Sequence, residues 1–354
     1  MNTHRFVWGS LALLLVLLVG SACGQAAPAA PTDPTDPTAL EKTDVTMRFQ
    51  WIPQWQFAGY IVAKQKGYYD EVGLNVTLNG GGPEFPTKTL VASGAEDFGT
   101  AWVDSMYTSR VQGVNLVAVA TLLQANPSAY MVHADAGIRT PNDFEGKTVA
   151  VYYGGGVETE YLAMLRNTNT DRSQINEVPG EFNLEPFLSR RVDVWPVYAT
   201  DQPHTVRTMG YDIDLIFARD YGVVMQGDVL FATQEFIAKH PNTVRAFVHA
   251  SLRGWEWAIN NPEEAVQIIL AYNPQLDAEQ LRFEASETIP LLRYGAGARC
   301  VGYNDPAAWA SQEQLLREMG TLPEPIPFEA VANNTFVEEY YRTQGIDCAD
   351  SAAQ

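Results

Sequence analysis

Strand and helix patterns alternate along residues 45–231 of this chain in two separate blocks. In the first block, residues 45–49 and 74–78 alternate apolar and polar side chains, as strands with one buried face do. A helical pattern lies between these two strands, and Gly67 stands where that helix would end. The unbroken apolar run at residues 116–120 indicates a strand that is buried on both faces, as in a parallel sheet.

A second block repeats this alternation and leads into a helical stretch. Its predicted elements are a helix at residues 157–166 and strands at residues 147–152, 192–194 and 213–217. After a strand at residues 229–231 the pattern becomes helical, and Pro241 and Pro262 each stand at a first helical position. We therefore predict an α/β fold of two lobes, with the chain crossing between them near Met131 and near Val223. Open α/β sheets bind ligands at the carboxyl ends of their strands, so the cleft between the lobes is the expected site.

The N-terminal segment has the layout of an export signal. Arg5 precedes an apolar run at residues 11–19, and the small residues 20–22 lead directly to Cys23. The run is too short for a comfortable membrane span. Small residues set before a cysteine resemble a bacterial lipobox. We therefore predict a signal peptide at residues 1–22 and a lipid anchor on Cys23, with an ordinary secreted protein as the alternative.

A stalk and a globular body are expected after this signal. Residues 24–38 consist mostly of Ala, Pro, Thr and Asp, a composition that favours extended, solvated conformations. We expect residues 23–44 to be a flexible linker between the anchor and the body. The chain as a whole has 46% hydrophobic and 18% charged residues, as ordinary globular proteins do, so the body is expected to fold.

Charge and cysteine content narrow the class of function. The formal net charge of −19 argues against nucleic-acid binding, because an acidic surface repels phosphates. The five histidines are scattered without metal-ligand spacing, and we predict no metal site. In an exported chain, Cys300 and Cys348 favour a disulfide over a metal pair or a nucleophile, although the sequence does not show their distance.

Several short motifs occur in the order found in a known family. They are GYIVAKQKGYY at residues 59–69, GLNV at 73–76, GAEDFG at 94–99, DFEGKTVAV at 143–151 and RRVDV at 190–194, followed by a helix that begins at His240 and Pro241. Together these motifs resemble the type II substrate-binding proteins of ABC importers, in the group that binds the thiamine pyrimidine precursor and related nutrients. The resemblance covers about residues 45–271.

Within this family the resemblance is strongest to the riboflavin-binding lipoproteins that supply a vitamin importer. It implies a first lobe at residues 44–131 plus 224–335, a second lobe at 132–223 and a C-terminal tail at 336–354. The ligand would lie between lobes that close by a hinge motion. The resemblance also implies permease subunits and a separate ATPase as partners. It further implies a lipid-anchored position on the extracytoplasmic side of the cell membrane. We predict neither a cofactor nor catalysis, because the sequence has no nucleophile and base pairing, Walker loop or paired-cysteine motif.

Five loops are predicted to face the cleft, and none of them contains Lys or Arg. They span residues 51–57, 80–86, 100–106, 152–158 and 196–203. A site for phosphate, sulfonate or carboxylate usually brings a cation. Glycines at a helix N-terminus can also bind anions through backbone N–H groups, and residues 154–156 are such a run. On balance the loops favour a neutral ligand.

Aromatic and polar side chains in these loops are the candidates for ligand contact. Stacked rings contribute about 0.5–1.5 kcal/mol per pair beyond area burial, and carboxylates and amides suit ring N–H groups and hydroxyls. The candidates are Trp51, Gln54, Trp55, Glu84, Trp102, Asp104, Tyr153, Glu158, Trp195, Tyr198 and Asp201. For some of them another role stays open. Trp55 and Trp102 would also suit packing within a lobe, Asp104 a helix cap, and Glu158 and Asp201 a solvated face.

We predict that the chain binds riboflavin or a related neutral planar nutrient and delivers it to a permease. The alternative in the same class is an aminopyrimidine precursor of thiamine, which would also suit carboxylates and aromatic walls. The alternative of another class is an enzyme, because intracellular relatives of the family synthesise that pyrimidine. Those relatives carry a cysteine-rich motif for iron, and this sequence has no such cluster.

Overall fold

The structure, a computed structural model, describes residues 38–350, and this part of the chain folds into ten strands and thirteen α-helices, with seven short 3-10 helices between them. The strands are β1 Asp44–Arg48, β2 Asn75–Asn79, β3 Phe98–Trp102, β4 Leu116–Thr121, β5 Ser128–His133, β6 Thr148–Val151, β7 Asn176–Pro179, β8 Val194–Tyr198, β9 Ile213–Ile216 and β10 Asp228–Thr233. The helices are α1 Ala58–Gln65, α2 Tyr68–Glu71, α3 Thr87–Ala92, α4 Val103–Val111, α5 Gly156–Thr168, α6 Glu185–Leu188, α7 Gln202–Thr208, α8 Gln234–Lys239, α9 Pro241–Asn260, α10 Pro262–Tyr272, α11 Ala278–Leu292, α12 Pro306–Glu318 and α13 Thr335–Arg342.

The predicted N-terminal features mostly precede the described part of the chain. The signal peptide, the lipid anchor on Cys23 and most of the predicted linker lie outside residues 38–350. Among the helices within those residues, none is long and apolar enough to cross a membrane.

Each lobe is built on one five-stranded sheet. The strand order is β2-β1-β3-β10-β4 in the first sheet and β7-β6-β8-β5-β9 in the second. In both sheets three neighbouring strands are parallel, and one strand runs antiparallel to its two neighbours. The antiparallel strands are β5, the first strand after the chain leaves the first lobe, and β10, the first after it returns. The predicted α/β fold of two lobes with two chain crossings is confirmed.

The chain crosses between the lobes at residues 122–127 and again at residues 217–227. The predicted boundary between residues 131 and 132 falls inside β5, although all of β5 pairs in the second sheet. We therefore propose that the second lobe begins before Ser128. The predicted return near Val223 falls within the second crossing.

Two elements, β4 and α9, show how the predicted apolar patterns are buried. Every residue of β4 is buried, as its unbroken apolar run indicated. Helix α9 begins at Pro241, as predicted, and buries one side of its surface in the first lobe. Helix α1 packs so closely on α9 that a Cβ atom at residue 59 would lie 2.1 Å from the Trp255 ring. Only glycine fits at Gly59 without moving that ring.

The C-terminal segment packs on the first lobe. Phe336, Val337 and Tyr341 of α13 are buried in the same apolar cluster as α1 and α9. Cys300 and Cys348 form a disulfide, as predicted, with their Cα atoms 5.7 Å apart. We therefore propose that residues 336–350 belong to the first lobe rather than to a separate tail, because α13 buries its apolar side there.

Candidate functional site

A cavity of about 750 Å³ lies between the two lobes. Its walls are built where strands end, since Trp51 follows β1, Trp102 ends β3, Tyr152 follows β6 and Tyr198 ends β8. This is the edge of the sheets at which open α/β folds bind ligands. The lining residues are Gln50, Trp51, Gln54, Gln56, Gly82, Pro83, Trp102, Ser128, Val151, Tyr152, Tyr153, Gly154, Gly155, Val157, Pro179, Gly180, Glu181, Phe182, Asn183, Leu184, Trp195, Pro196, Val197, Tyr198, Asp201 and Gln202.

Two pairs of aromatic rings meet across the cleft. The ring centroids of Trp51 and Phe182 are 4.9 Å apart. Those of Trp102 and Tyr198 are 5.7 Å apart, with 29° between the ring planes. Within the second lobe Tyr152 stacks on Phe182, with ring centroids 5.3 Å apart and 15° between the ring planes. Offset and tilted contacts at these distances are favourable, so both lobes contribute flat aromatic surface to the cavity.

The charged residues that line the cavity are all acidic. Among its lining residues, which all belong to the described part of the chain, there are two acids, Glu181 and Asp201, and no Lys or Arg. An anionic group placed here would meet negative charge and no cationic side chain. Within residues 38–350, no group of three or more His, Cys, Asp or Glu side chains is arranged to hold a metal ion.

A buried carboxylate, Asp228, accepts hydrogen bonds from three side chains that line the cavity. Its Oδ1 accepts from Gln50 Nε2 at 2.7 Å, and its Oδ2 accepts from Gln56 Nε2 at 2.5 Å. Tyr198 Oη also donates to Oδ1, at 3.4 Å. Burial raises the pKa of Asp228 to about 6, and the hydrogen bonds from the two glutamines and the tyrosine oppose this rise. These three lining side chains are therefore held in place by one buried carboxylate.

Two acids, Asp201 at the start of α7 and Glu284 of α11, are connected through Gln280. Gln280 Nε2 lies 3.2 Å from Asp201 Oδ1 and 3.2 Å from Glu284 Oε1, and donates to both. Burial raises the pKa of Asp201 to about 6. Burial also raises the pKa of Glu284 to about 8, and the nearby charge of Asp201 adds to this rise. Glu284 is therefore largely protonated at neutral pH.

The structure brings most of the predicted contact residues together at this cavity. Seven of the predicted residues line it, namely Trp51, Gln54, Trp102, Tyr153, Trp195, Tyr198 and Asp201. They come from both lobes and from separate loops, as the predicted cleft requires. Their contact with a ligand stays a prediction.

Trp55 does not line the cavity, contrary to its predicted place there. Its side chain is fully buried in the first lobe, where its ring lies edge-on to Trp255 at 6.4 Å. Its backbone N–H donates to Glu284 Oε2 at 3.0 Å. The alternative of packing within a lobe therefore applies to this tryptophan, because α9 and α11 supply a site for it.

Three predicted acids lie beside the cavity rather than on its surface. Glu84 is exposed in the turn after β2. Asp104 is buried in the first turn of α4, where its Oδ1 would lie 2.9 Å from a Cβ atom at residue 156 of the other lobe, and burial raises its pKa to about 6. Glu158 accepts from the backbone N–H of Gly154 at 2.6 Å. Asp104 and Glu158 therefore lie against the glycine run at residues 154–156, and Gly154 and Gly155 of this run line the cavity.

The sequence prediction missed the turn that follows β7. This turn, residues 180–184, lines the cavity and carries Phe182, whose side chain is 66% exposed. Strand β7 has the sequence NEVP, which lacks a clear strand pattern, so its carboxyl end was not predicted. A phenylalanine between Glu181 and Asn183 was the available signal, because large exposed apolar residues often mark binding sites.

Comparison with known proteins places this geometry in a family. The family model described as "NMT1/THI5 like" matches residues 54–265. The chain is 27% identical over 344 residues to the riboflavin-binding protein RibY of Chloroflexus aurantiacus, covering 93% of this chain and 97% of that protein. It is 26% identical over 291 residues to a formylaminopyrimidine-binding protein of Halalkalibacterium halodurans, covering 80% and 84%.

A solved structure shows the same fold. The periplasmic aliphatic sulphonate binding protein SsuA from Escherichia coli matches with a TM-score of 0.64, over 81% of this chain and 96% of that one. At 14% sequence identity this likeness concerns the fold alone. The family match begins in the turn after β1 and ends in α10, so it includes nine of the ten described strands. Because it covers more than half of the chain, the protein belongs to the NMT1/THI5-like family.

Proposed function

We propose that this protein is the solute-binding component of an ABC importer and that it holds riboflavin between its lobes. The observation that carries the proposal is a cavity of about 750 Å³ with aromatic walls from both lobes and no Lys or Arg among its lining residues. A site of this volume suits a ligand larger than a single small ring. In this role the protein would deliver the vitamin to permease subunits that work with a separate ATPase.

The aromatic wall suits a flat ligand. Trp51, Tyr152 and Phe182 form a continuous set of ring contacts, and Trp102 with Tyr198 forms another. A three-ring flavin would cover more of this surface than one ring does, and buried apolar area adds about 25 cal/mol per Å². The hydroxyls of a ribityl chain need polar partners once they leave water. Lining residues such as Gln54, Asn183 and Gln202 supply such partners.

The lack of cations at the cavity argues against an anionic ligand. SsuA, which has the same fold, is named for binding sulphonates. A tightly held sulphonate or phosphate usually receives charge-assisted hydrogen bonds. In this chain the charged lining residues are Glu181 and Asp201, which would repel such a group. The proposal therefore specifies riboflavin rather than its phosphorylated form.

The similarities to known proteins support both the class and the ligand. RibY is named as a riboflavin-binding protein, and the similarity extends over nearly the whole of both chains. The small residues before Cys23 support a lipid anchor there and an extracytoplasmic position for the protein, although Cys23 precedes the described residues. The relative from Halalkalibacterium halodurans is named for binding formylaminopyrimidine, and this observation keeps an aminopyrimidine as the second candidate. The size of the cavity favours the larger ligand.

Direct binding measurements decide between these ligands. Riboflavin added to the purified protein should lose fluorescence through stacking on tryptophan and should raise the melting temperature. Riboflavin phosphate and an aminopyrimidine serve as the comparison ligands, and both should bind more weakly. If riboflavin changes neither its fluorescence nor the melting temperature while an aminopyrimidine raises the latter, the riboflavin assignment is wrong.

A further inference from the structure

Asp228 lies behind the cavity wall and reaches the cavity only through other side chains. Its own side chain is 3% exposed. It is the first residue of β10, which runs antiparallel, so its Cα pairs with that of Trp102 at the last position of β3. The backbone carbonyl of Asp228 accepts from the N–H of Leu122 at 2.7 Å, in the first crossing between the lobes. The carboxylate is thus fixed in place by the first sheet and by a crossing segment.

The hydrogen-bond chemistry of this carboxylate sets the orientation of two glutamines. Above its pKa of about 6, the ionised Asp228 can only accept hydrogen bonds. Gln50 and Gln56 therefore turn their NH₂ groups toward it, as their distances of 2.7 and 2.5 Å show. Each amide then has its carbonyl oxygen left for other partners. For Gln56 that oxygen has one long contact, 3.4 Å from Gln54 Nε2.

The aromatic neighbours of Asp228 indicate which kind of ligand group could donate to the carbonyl oxygens of Gln50 and Gln56. Trp102 pairs with Asp228 in the sheet, and Tyr198, which stacks on Trp102, donates to its Oδ1. Because Tyr198 and both glutamines bond to the same carboxylate, a planar ring packed on the Trp102 and Tyr198 pair would lie beside Gln50 and Gln56. Two acceptors beside that ring are complementary to a ring N–H.

We propose that Asp228 is a positioning residue that presents Gln50 and Gln56 as acceptors, so the site selects planar solutes with an N–H on the ring edge. The inference rests on the proposed function, because it assumes that the cavity holds such a solute. Tyr198 belongs to the second lobe, whereas Asp228 and both glutamines belong to the first. The same carboxylate therefore links ligand selection to the contact between the lobes.

The test compares riboflavin with N3-methylriboflavin, in which a methyl group replaces the single N–H of the ring system. The wild-type protein should bind the methylated ligand at least about tenfold more weakly, because the acceptors lose their partner. The side-chain amide of Asp228→Asn can donate as well as accept hydrogen bonds. Gln50 and Gln56 then no longer have to turn their NH₂ groups toward residue 228. The ratio of the two dissociation constants should then fall by about threefold or more, a coupling that loss of stability alone does not produce.

Controls separate this inference from the proposed function. Asp220→Asn changes an exposed acid in the returning crossing and should leave both affinities unchanged. If Asp228→Asn does not fold, Gln56→Leu in its place should show the same reduced ratio. Equal binding of the two ligands by the wild-type protein would overturn the inference while riboflavin binding itself stands. Absence of riboflavin binding would instead overturn the proposed function.

Discussion

Trp51 and Trp55 lie four residues apart in one turn, yet they face opposite sides of it. Trp51 lines the cavity and contacts Phe182 of the other lobe at 4.9 Å. Trp55 is fully buried in the first lobe beside Trp255. The local sequence alone does not distinguish these two tryptophans. Their difference arises because α9 and α11, more than 180 residues further along the chain, cover one side of the turn and leave the other open.

Removal of the buried indole should have the largest effect, and this effect should be on stability. Trp55→Ala leaves a cavity in the core of the first lobe, and we expect the free energy of unfolding to fall by about 3–5 kcal/mol. Denaturant unfolding monitored by circular dichroism measures this loss. The affinity of the folded fraction for riboflavin should change little. Normal stability together with lost binding would place Trp55 at the ligand and reverse the comparison.

Glu284, which accepts a hydrogen bond from the backbone N–H of Trp55, should make the free energy of unfolding depend on pH. Burial raises the pKa of Glu284 from an ordinary 4.5 to about 8, so between these values the folded state keeps a proton that the unfolded chain releases. Raising the pH through this window therefore favours unfolding. In the wild-type protein the free energy of unfolding should fall between pH 5 and pH 8. In Glu284→Gln this fall should be smaller, by up to a few kcal/mol.

Unfolding of wild-type and Glu284→Gln protein at several pH values tests this expectation. The amide keeps an oxygen that can accept from the backbone N–H of Trp55. At pH 8 the variant should therefore be the more stable of the two. Parallel curves for both proteins across the window would show that Glu284 does not retain its proton in the fold.

Removal of the cavity-facing indole should reduce binding rather than stability. We expect Trp51→Ala to weaken riboflavin binding by about 1–3 kcal/mol, since buried aromatic contacts commonly dominate a site. Its melting temperature should stay close to that of the wild type, because Trp51 is only partly buried. Ile52→Ala is the matched control, because Ile52 is the next residue and is 45% exposed. Equal affinities of the two variants, by isothermal titration calorimetry, would exclude Trp51 from the site.

The smallest effect is expected across the cleft, at the ring that meets Trp51. Phe182→Ala removes a side chain that is 66% exposed and contacts Trp51 and Tyr152. We expect riboflavin affinity to fall by about 0.5–1.5 kcal/mol, the contribution of one ring pair. Phe182→Tyr keeps the ring and should bind as the wild type does. A loss in the tyrosine variant as large as in the alanine variant would contradict a stacking role.

The fold and one part of the site could be predicted from local patterns. The loops after β1, β6 and β8 follow apolar strand patterns, so their aromatic residues could be placed at the cleft from the sequence. The burial of Trp55 could not, because its contacts with Trp255 and Glu284 join distant parts of the chain.

Strand direction hid another part of the site. In a parallel strand the carboxyl end faces the cleft, but β5 and β10 run antiparallel to their neighbours. Their first residues, Ser128 and Asp228, therefore lie at that same edge, paired with Tyr198 and Trp102. A sequence pattern shows where a strand begins and not in which direction it runs within its sheet. Asp228 was missed for this reason.

The two chain crossings, residues 122–127 and 217–227, also constrain how the protein can move. Two bodies joined at two points can swing about the line through those points but resist twisting around any other axis. We expect a swing about this line to separate the Trp51–Phe182 and Trp102–Tyr198 contacts together, because each pair joins the two lobes. Intrinsic indole emission would accordingly report the swing itself, without an added label.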